Sequence, residues 1–148
     1  MVVGFVMLFL AAGRVEAAEW IPYGSSTTGA GYYDKNSVGK VNGHMIRVLT
    51  KTLFNDVGKL QNYSVLRKKG KAPGNPYILN YEIALLDVDC SNAKMKISSS
   101  RICDKRGNVI ASKPVSHDEW HKVVPGSHLE KLKDAVCSTV NLSGSNKK

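Results

Sequence analysis

The chain has 148 residues, with 21 Lys and Arg against 12 Asp and Glu, for a formal net charge of +9. That length holds one domain and excludes a multidomain architecture. The charge favours acidic partners at long range: sulfated glycans, anionic lipid headgroups or acidic proteins.

The first element is the apolar run Val2 to Ala12 (VVGFVMLFLAA). It is too short to span a bilayer, which takes about 20 residues, and no other segment could cross a membrane. Its length suits the central part of a signal peptide, with Val15 and Ala17 as the small residues before a cleavage site. No Lys or Arg precedes the run, the one feature of a signal peptide that is missing. Residues 1–17 are therefore expected to be removed, and the mature protein to be exported, to the periplasm or to the cell surface and beyond. Cutting away Arg14 and Glu16 leaves the charge at +9. Export puts nucleic acid last among the acidic partners, and the absence of a cysteine near the cleavage site argues against a lipid anchor.

Ala18 to Tyr23 (AEWIPY) is predicted to be the first strand. Gly24 to Gly31 (GSSTTGAG) reads as a mobile small-residue loop, Tyr32-Tyr33-Asp34 resumes the extended chain, and KNSVGK turns it. Gly43 to Phe54 alternates strictly: His44, Ile46, Val48, Thr50, Thr52 and Phe54 fall on one face, which is predicted to be the core side, and Met45, Arg47, Leu49, Lys51 and Leu53 on the other. Asn55 to Asn75 is polar and basic and ends in LRKKGKAPGNP; its prolines and glycines read as a long connection between strands. Tyr77 to Cys90 is the longest strand candidate. Its apolar residues change parity after Leu85, so a β-bulge is expected near Leu85–Asp87.

Lys94 to Cys103 is a further strand, Asp104 to Asn108 a hairpin loop with Gly107 available for a positive φ, and Val109 to Lys113 the returning strand. Trp120 to Val124 is short and extended, with Trp120 expected in the core. Pro125-Gly126 then breaks the chain, and Ser127 with Glu130 forms a capping box at the start of a helix. Leu129, Leu132, Val136 and Cys137 line one stripe of that helix, with Lys131 and Lys133 toward solvent. Residues 138–148 read as a disordered tail. The fold expected is α+β: a small antiparallel sheet of five or six strands with one C-terminal helix packed on it. An exposed edge strand could mediate a homodimer.

The cysteines are Cys90, Cys103 and Cys137. In an oxidising compartment two pair and one is left over, and three pairings are open. Cys90–Cys137 would close the longest loop and restrict the unfolded chain most, by roughly 4 kcal/mol.

These landmarks together resemble the surface-adhesin protein E family of bacterial exported proteins. They are Trp20, Tyr32-Tyr33-Asp34 with Ser37-Val38, the strand Tyr81-Glu82-Ile83 ending in Asp87-Val88-Asp89-Cys90, the hairpin with Gly107, and the closing Trp120, Val124-Pro125, Ser127 and Val136-Cys137. The resemblance runs from about Trp20 to Cys137, so that residues 18–137 form the adhesin E-like domain. It implies an antiparallel sheet with a C-terminal helix, stapled by a disulfide between Cys90 and Cys137. It further implies an adhesin for host vitronectin and laminin that uses the basic connection leading into the first cysteine, here Asn62 to Cys90. That stretch contains Arg67, Lys68, Lys69 and Lys71. The chain departs from the family in Cys103, where an aromatic residue is usual, and in the missing anchor cysteine.

Other constellations carry less. His117 and His121 lie four apart, but the zinc-protease pattern H-E-x-x-H is absent, Val123-Val124-Pro125 argues against a continuing helix, and no third ligand is evident. No metal, cofactor or catalytic residue is assigned. Cys103 has no motif that would make it a nucleophile, and no paired-carboxylate, Gly-x-Ser-x-Gly or phosphate-loop pattern occurs. His128 sits beside its capping serine and needs no special role. Asp87 and Asp89 read as solvent-facing, paired with nearby lysines. The sequence thus points to a non-enzymatic exported protein that binds an extracellular-matrix protein or sulfated polyanion through Arg67, Lys68, Lys69 and Lys71. The alternative is a periplasmic structural or accessory subunit of an envelope assembly with no role in host adhesion.

Overall fold

A computed structural model of the chain describes residues 17–113 and 119–144. Strands are β1 (Trp20–Ser26), β2 (Gly29–Asp34), β3 (Gly39–Asn42), β4 (Met45–Phe54), β5 (Tyr81–Asp89), β6 (Lys94–Cys103), β7 (Val109–Lys113) and β8 (His121–Lys122); helices are α1 (Asp56–Lys68) and α2 (His128–Gly144). The strands form one sheet ordered β1-β2-β4-β5-β6-β7, with β3 beside β4 and β8 beside β6, and every pairing is antiparallel. The α+β class is as expected, with six strands along the main path and two short ones added. Among the described residues no helix is long and apolar enough to cross a membrane.

The alternation in β4 sets the two faces of the sheet. Ile46, Val48, Thr50 and Phe54 are buried, while Met45, Leu49 and Lys51 are half-buried and Arg47 and Leu53 exposed, as period-two patterning requires; of the other residues expected on the core side, Thr52 is half-buried, and His44, which precedes the strand, is exposed. On the buried face Ile46 and Val48 meet Ala84, Leu86 and Val88 of β5 and Leu132, Val136 and Cys137 of α2. A second cluster on the same face joins Phe54, Leu79, Ile102 and Ala111 to Leu66 of α1, with Tyr63 and Ala72 packed against it. Both helices therefore cover one face and, among the described residues, leave the other open.

The small-residue stretch Gly24–Gly31 is not a mobile loop. It is the hairpin of β1 and β2, closed at Thr27–Thr28, with Ser26 opposite Gly29. Small side chains leave the backbone free to pair, and the tip is held: Asn55 N–H donates to Thr28 O at 3.0 Å and Asn55 Nδ2 to Thr27 O at 3.0 Å. The connection Asn55–Asn75 is likewise not loop throughout, since residues 56–68 are α1. Asn55 caps it, its side chain accepting from Gly58 N–H at 2.9 Å. The glycines and prolines that suggested a loop lie beyond the end of this helix.

β5 pairs with β4 in unbroken register from Leu53↔Tyr81 to Met45↔Asp89. The bulge expected near Leu85–Asp87 is present in the pairing of β5 with β6, between Leu85 and Leu86, but the extra residue, Ser98, belongs to β6. The parity change arises because β5 is apolar on both faces: Ala84, Leu86 and Val88 point to the core, and Tyr81, Ile83 and Leu85 to the open side. Residues 76–78 form a single 3₁₀ turn rather than the start of that strand.

The capping box of α2 forms with a shifted arm. Glu130 N–H donates to Ser127 Oγ at 3.4 Å, while the Glu130 carboxylate reaches Gly126 N–H at 3.3 Å. The helix continues past Cys137 to Gly144, into the stretch expected to be a tail. Cys90 and Cys137 are joined, with their Cα atoms 5.8 Å apart, tying the end of β5 to the middle of α2. Trp120 is half-buried, not a core anchor; Lys96 Nζ lies 4.9 Å over its ring, and Val123 fills the core position nearby. The expected signal segment lies outside the described residues except for Ala17, and so does His117.

Candidate functional site

Arg67 and Lys68 occupy the last turn of α1, Lys69 is its C-cap, and Lys71 follows Gly70. The sequence pattern suggested a loop for all four; the structure sets them at a fixed helix end. Gly70 adopts φ +67, Gly70 N–H donates to Arg67 O at 3.1 Å, and Lys71 N–H donates to Leu66 O at 2.9 Å. This pair of bonds is the Schellman motif, which needs a residue free to take a left-handed conformation just past the helix. Leu66, whose carbonyl closes the motif, is itself buried in the second core cluster.

All four cationic side chains are exposed, and none forms an ion pair among the described residues. Cations at a helix C-terminus are stabilised by the partial negative charge of its unpaired carbonyls, so the cluster costs the fold little. The solvent side of α1 also exposes Val57 and Leu60, and the 3₁₀ turn packed against the helix exposes Tyr77 and Ile78. Such a surface attracts anions through charge, with little demand on their shape.

Among the described residues, the others singled out in the sequence do not converge. His121 is exposed, 3.9 Å from Glu119, and His128 stacks on Tyr23 with ring centroids 6.1 Å apart. No group of three His, Cys, Asp or Glu side chains with metal-site geometry occurs among the described residues. Cys103 is buried beside Tyr81; burial and the neighbouring thiol raise the phenol of Tyr81 above its ordinary value.

Asp87 is not solvent-facing. Its side chain is 5 % exposed, and it accepts from Arg47 Nε at 2.7 Å, Arg47 Nη2 at 3.1 Å and Ser98 Oγ at 3.0 Å. The bonds from Arg47 hold its carboxyl below the usual carboxylate value, against the opposing effect of burial. Asp89, half-buried, accepts from Ser91 N–H, Asn92 N–H and Asn92 Nδ2 and so holds the turn into β6.

One cluster has no counterpart in the sequence pattern. A cleft of about 460 Å³ on the helix side is lined by Thr52, Glu82, Lys113, Gln61, Val65 and His128, among others. Lys113 Nζ lies 3.1 Å from Glu82 Oε2, and Ser100 Oγ bonds the other oxygen. Burial, followed by the charge of Glu82, pushes the Tyr23 phenol up to about 12. Glu82, Ser100 and Lys113 are neighbours across three strands but far apart in sequence, and no local motif signals their meeting. Lys113 neutralises Glu82, and the Ser100 hydroxyl is spent on the same carboxylate.

A family model described as Surface-adhesin protein E matches residues 20–138. Among solved structures, crystal form II of Haemophilus influenzae protein E is similar to this chain, with a TM-score of 0.54 and 11 % sequence identity over 75 % of this chain and 82 % of that one. At that identity the likeness carries the fold. No curated protein matches the chain.

Proposed function

This chain belongs to the surface-adhesin protein E family, and on that footing we propose that it is an exported, non-enzymatic binding protein. Its contact with an extracellular-matrix protein or sulfated polyanion is made by Arg67, Lys68, Lys69 and Lys71. The observation that carries this reading is the arrangement of those four exposed cations, without acidic partners among the described residues, around the fixed C-terminus of α1. A rigid cluster loses less conformational freedom on binding than a loop would, and a net charge of +9 strengthens the approach of an anionic partner.

Residues 1–17 act as the signal peptide that brings the protein to an oxidising compartment, consistent with the Cys90–Cys137 disulfide. The test is retention on immobilised heparin, eluted with salt. The wild type is expected to elute at clearly higher salt than a variant with Arg67, Lys68, Lys69 and Lys71 all changed to Ala. Equal elution of the two would remove the site from the proposal, and no retention of either would shift the reading to a subunit of an envelope assembly.

A further inference from the structure

The open face of the sheet is laid out in rows by the strand register. One row runs Tyr32, Lys51, Ile83, Arg101 and Ser112 across β2, β4, β5, β6 and β7. The next sets Leu49 opposite Leu85, and Leu85 opposite Ser99. Leu49, Ile83 and Leu85 are half-buried and line a hollow of about 310 Å³ together with Ser99, Ser100, Arg101, Ser112 and Lys113, the last already paired with Glu82; Lys51 lies outside this lining. Strands lie about 4.8 Å apart, so Lys51 and Arg101, two strands from each other, flank Ile83 at roughly 10 Å separation.

Both cations are available on this face. Lys51 Nζ is held 4.5 Å over the Tyr81 ring and 5.5 Å over the Trp20 ring, which fixes it without neutralising it. Arg101 is exposed and makes no ion pair among the described residues. The carboxylates on the same side are engaged elsewhere: Asp87 by Arg47 and Ser98, Asp89 by the turn at Ser91–Asn92. The surface is therefore apolar at its centre and cationic at its flanks.

We propose that this hollow binds an amphiphilic anion, with the apolar chain over Leu49, Ile83 and Leu85 and the anionic head on Arg101, with Lys51 adding only longer-range attraction. A concave apolar surface with a few convergent polar groups is the usual form of a small-molecule site. A plain polyanion has no use for the apolar floor, and a neutral lipid has none for Arg101. The site lies on the face opposite α1 and does not depend on Arg67–Lys71.

The test is an amide NMR titration of the purified protein with decanoate, decanol and inorganic phosphate, each kept monomeric. Decanoate is expected to move the resonances of Leu49, Ile83 and Leu85 saturably, and phosphate to leave them in place. Arg101→Gln should weaken decanoate roughly tenfold, the loss of one charged hydrogen bond, and leave the weaker binding of decanol unchanged. Leu85→Ser should weaken both ligands. Its melting temperature is measured alongside, and Arg101→Gln, at an exposed position, carries the test if Leu85→Ser proves unstable. Phosphate binding as tightly as decanoate would make the face a simple anion patch and overturn the proposal. So would shifts confined to another region, no shifts at all, or an Arg101→Gln variant that binds decanoate like the wild type.

Discussion

Gly58→Ala reverses the ordinary rule for helices. Alanine is the better helix former, and the exchange in a helix interior is worth up to about 1 kcal/mol. Gly58, however, lies where α1 presses on the tip of the β1–β2 hairpin. A Cβ built there would stand 2.1 Å from Thr28 O and 3.0 Å from its carbonyl carbon. Both are backbone atoms and cannot swing aside. Relief requires the helix to move away from the hairpin by on the order of 1 Å, a distance that strains the bonds from Asn55 to Thr27 and Thr28. Overpacking of this kind costs about 1–3 kcal/mol, and each weakened hydrogen bond adds about 1 kcal/mol. Set against the gain in helix propensity, the net is a loss of roughly 2 kcal/mol. Urea unfolding followed by circular dichroism measures it: the midpoint should fall by about 1 M with an unchanged slope. A Gly58→Ala protein as stable as the wild type, or more so, would refute the close packing of α1 on the hairpin.

Asp87 has a folded pKa below its ordinary value of 3.8, so it stabilises the fold above that value, and the stabilisation drains away as the pH falls from about 5 through 3.8 and on to the lower folded pKa. Asp87→Asn should therefore lower stability at neutral pH and flatten the acid limb of a stability–pH curve; an unchanged acid limb would show that Asp87 is not held by Arg47. Removing the Cys90–Cys137 cross-link, with both residues changed to Ser, frees a loop of sequence separation 47 and should cost about 4 kcal/mol, read as a lower melting temperature that reducing agent no longer alters.

Where one strand or one cap carries its own signal, the sequence was readable. Ile46, Val48, Thr50 and Phe54 announce the core face of β4 by alternation, β6 is bounded as expected, and Ser127 with Glu130 marks the start of α2. The disulfide was legible through the family resemblance and through loop length. What failed needed distant partners. α1 turns only Leu66 and Gly58 fully inward and exposes Val57 and Leu60, so its apolar pattern is too sparse to outweigh the prolines and glycines after it. Asp87 alternates like a surface residue, and its burial is made tolerable by Arg47, on a strand 40 positions away, and by Ser98. The basic residues of the candidate site were visible as composition, but their fixed setting depends on α1, whose cap at Gly70 resembles a loop glycine in sequence. The Glu82–Lys113 pair and the open-face hollow are products of strand order alone.

Whether the cations at the end of α1 make the contact with the partner is decided by binding of the purified protein to immobilised vitronectin and laminin at low and high salt. The variant with Arg67, Lys68, Lys69 and Lys71 changed to Ala is measured beside it, with both proteins shown to melt at the same temperature. Binding should weaken with salt and be lost in the variant. Binding that persists in the variant at undiminished strength would contradict a contact through these four residues.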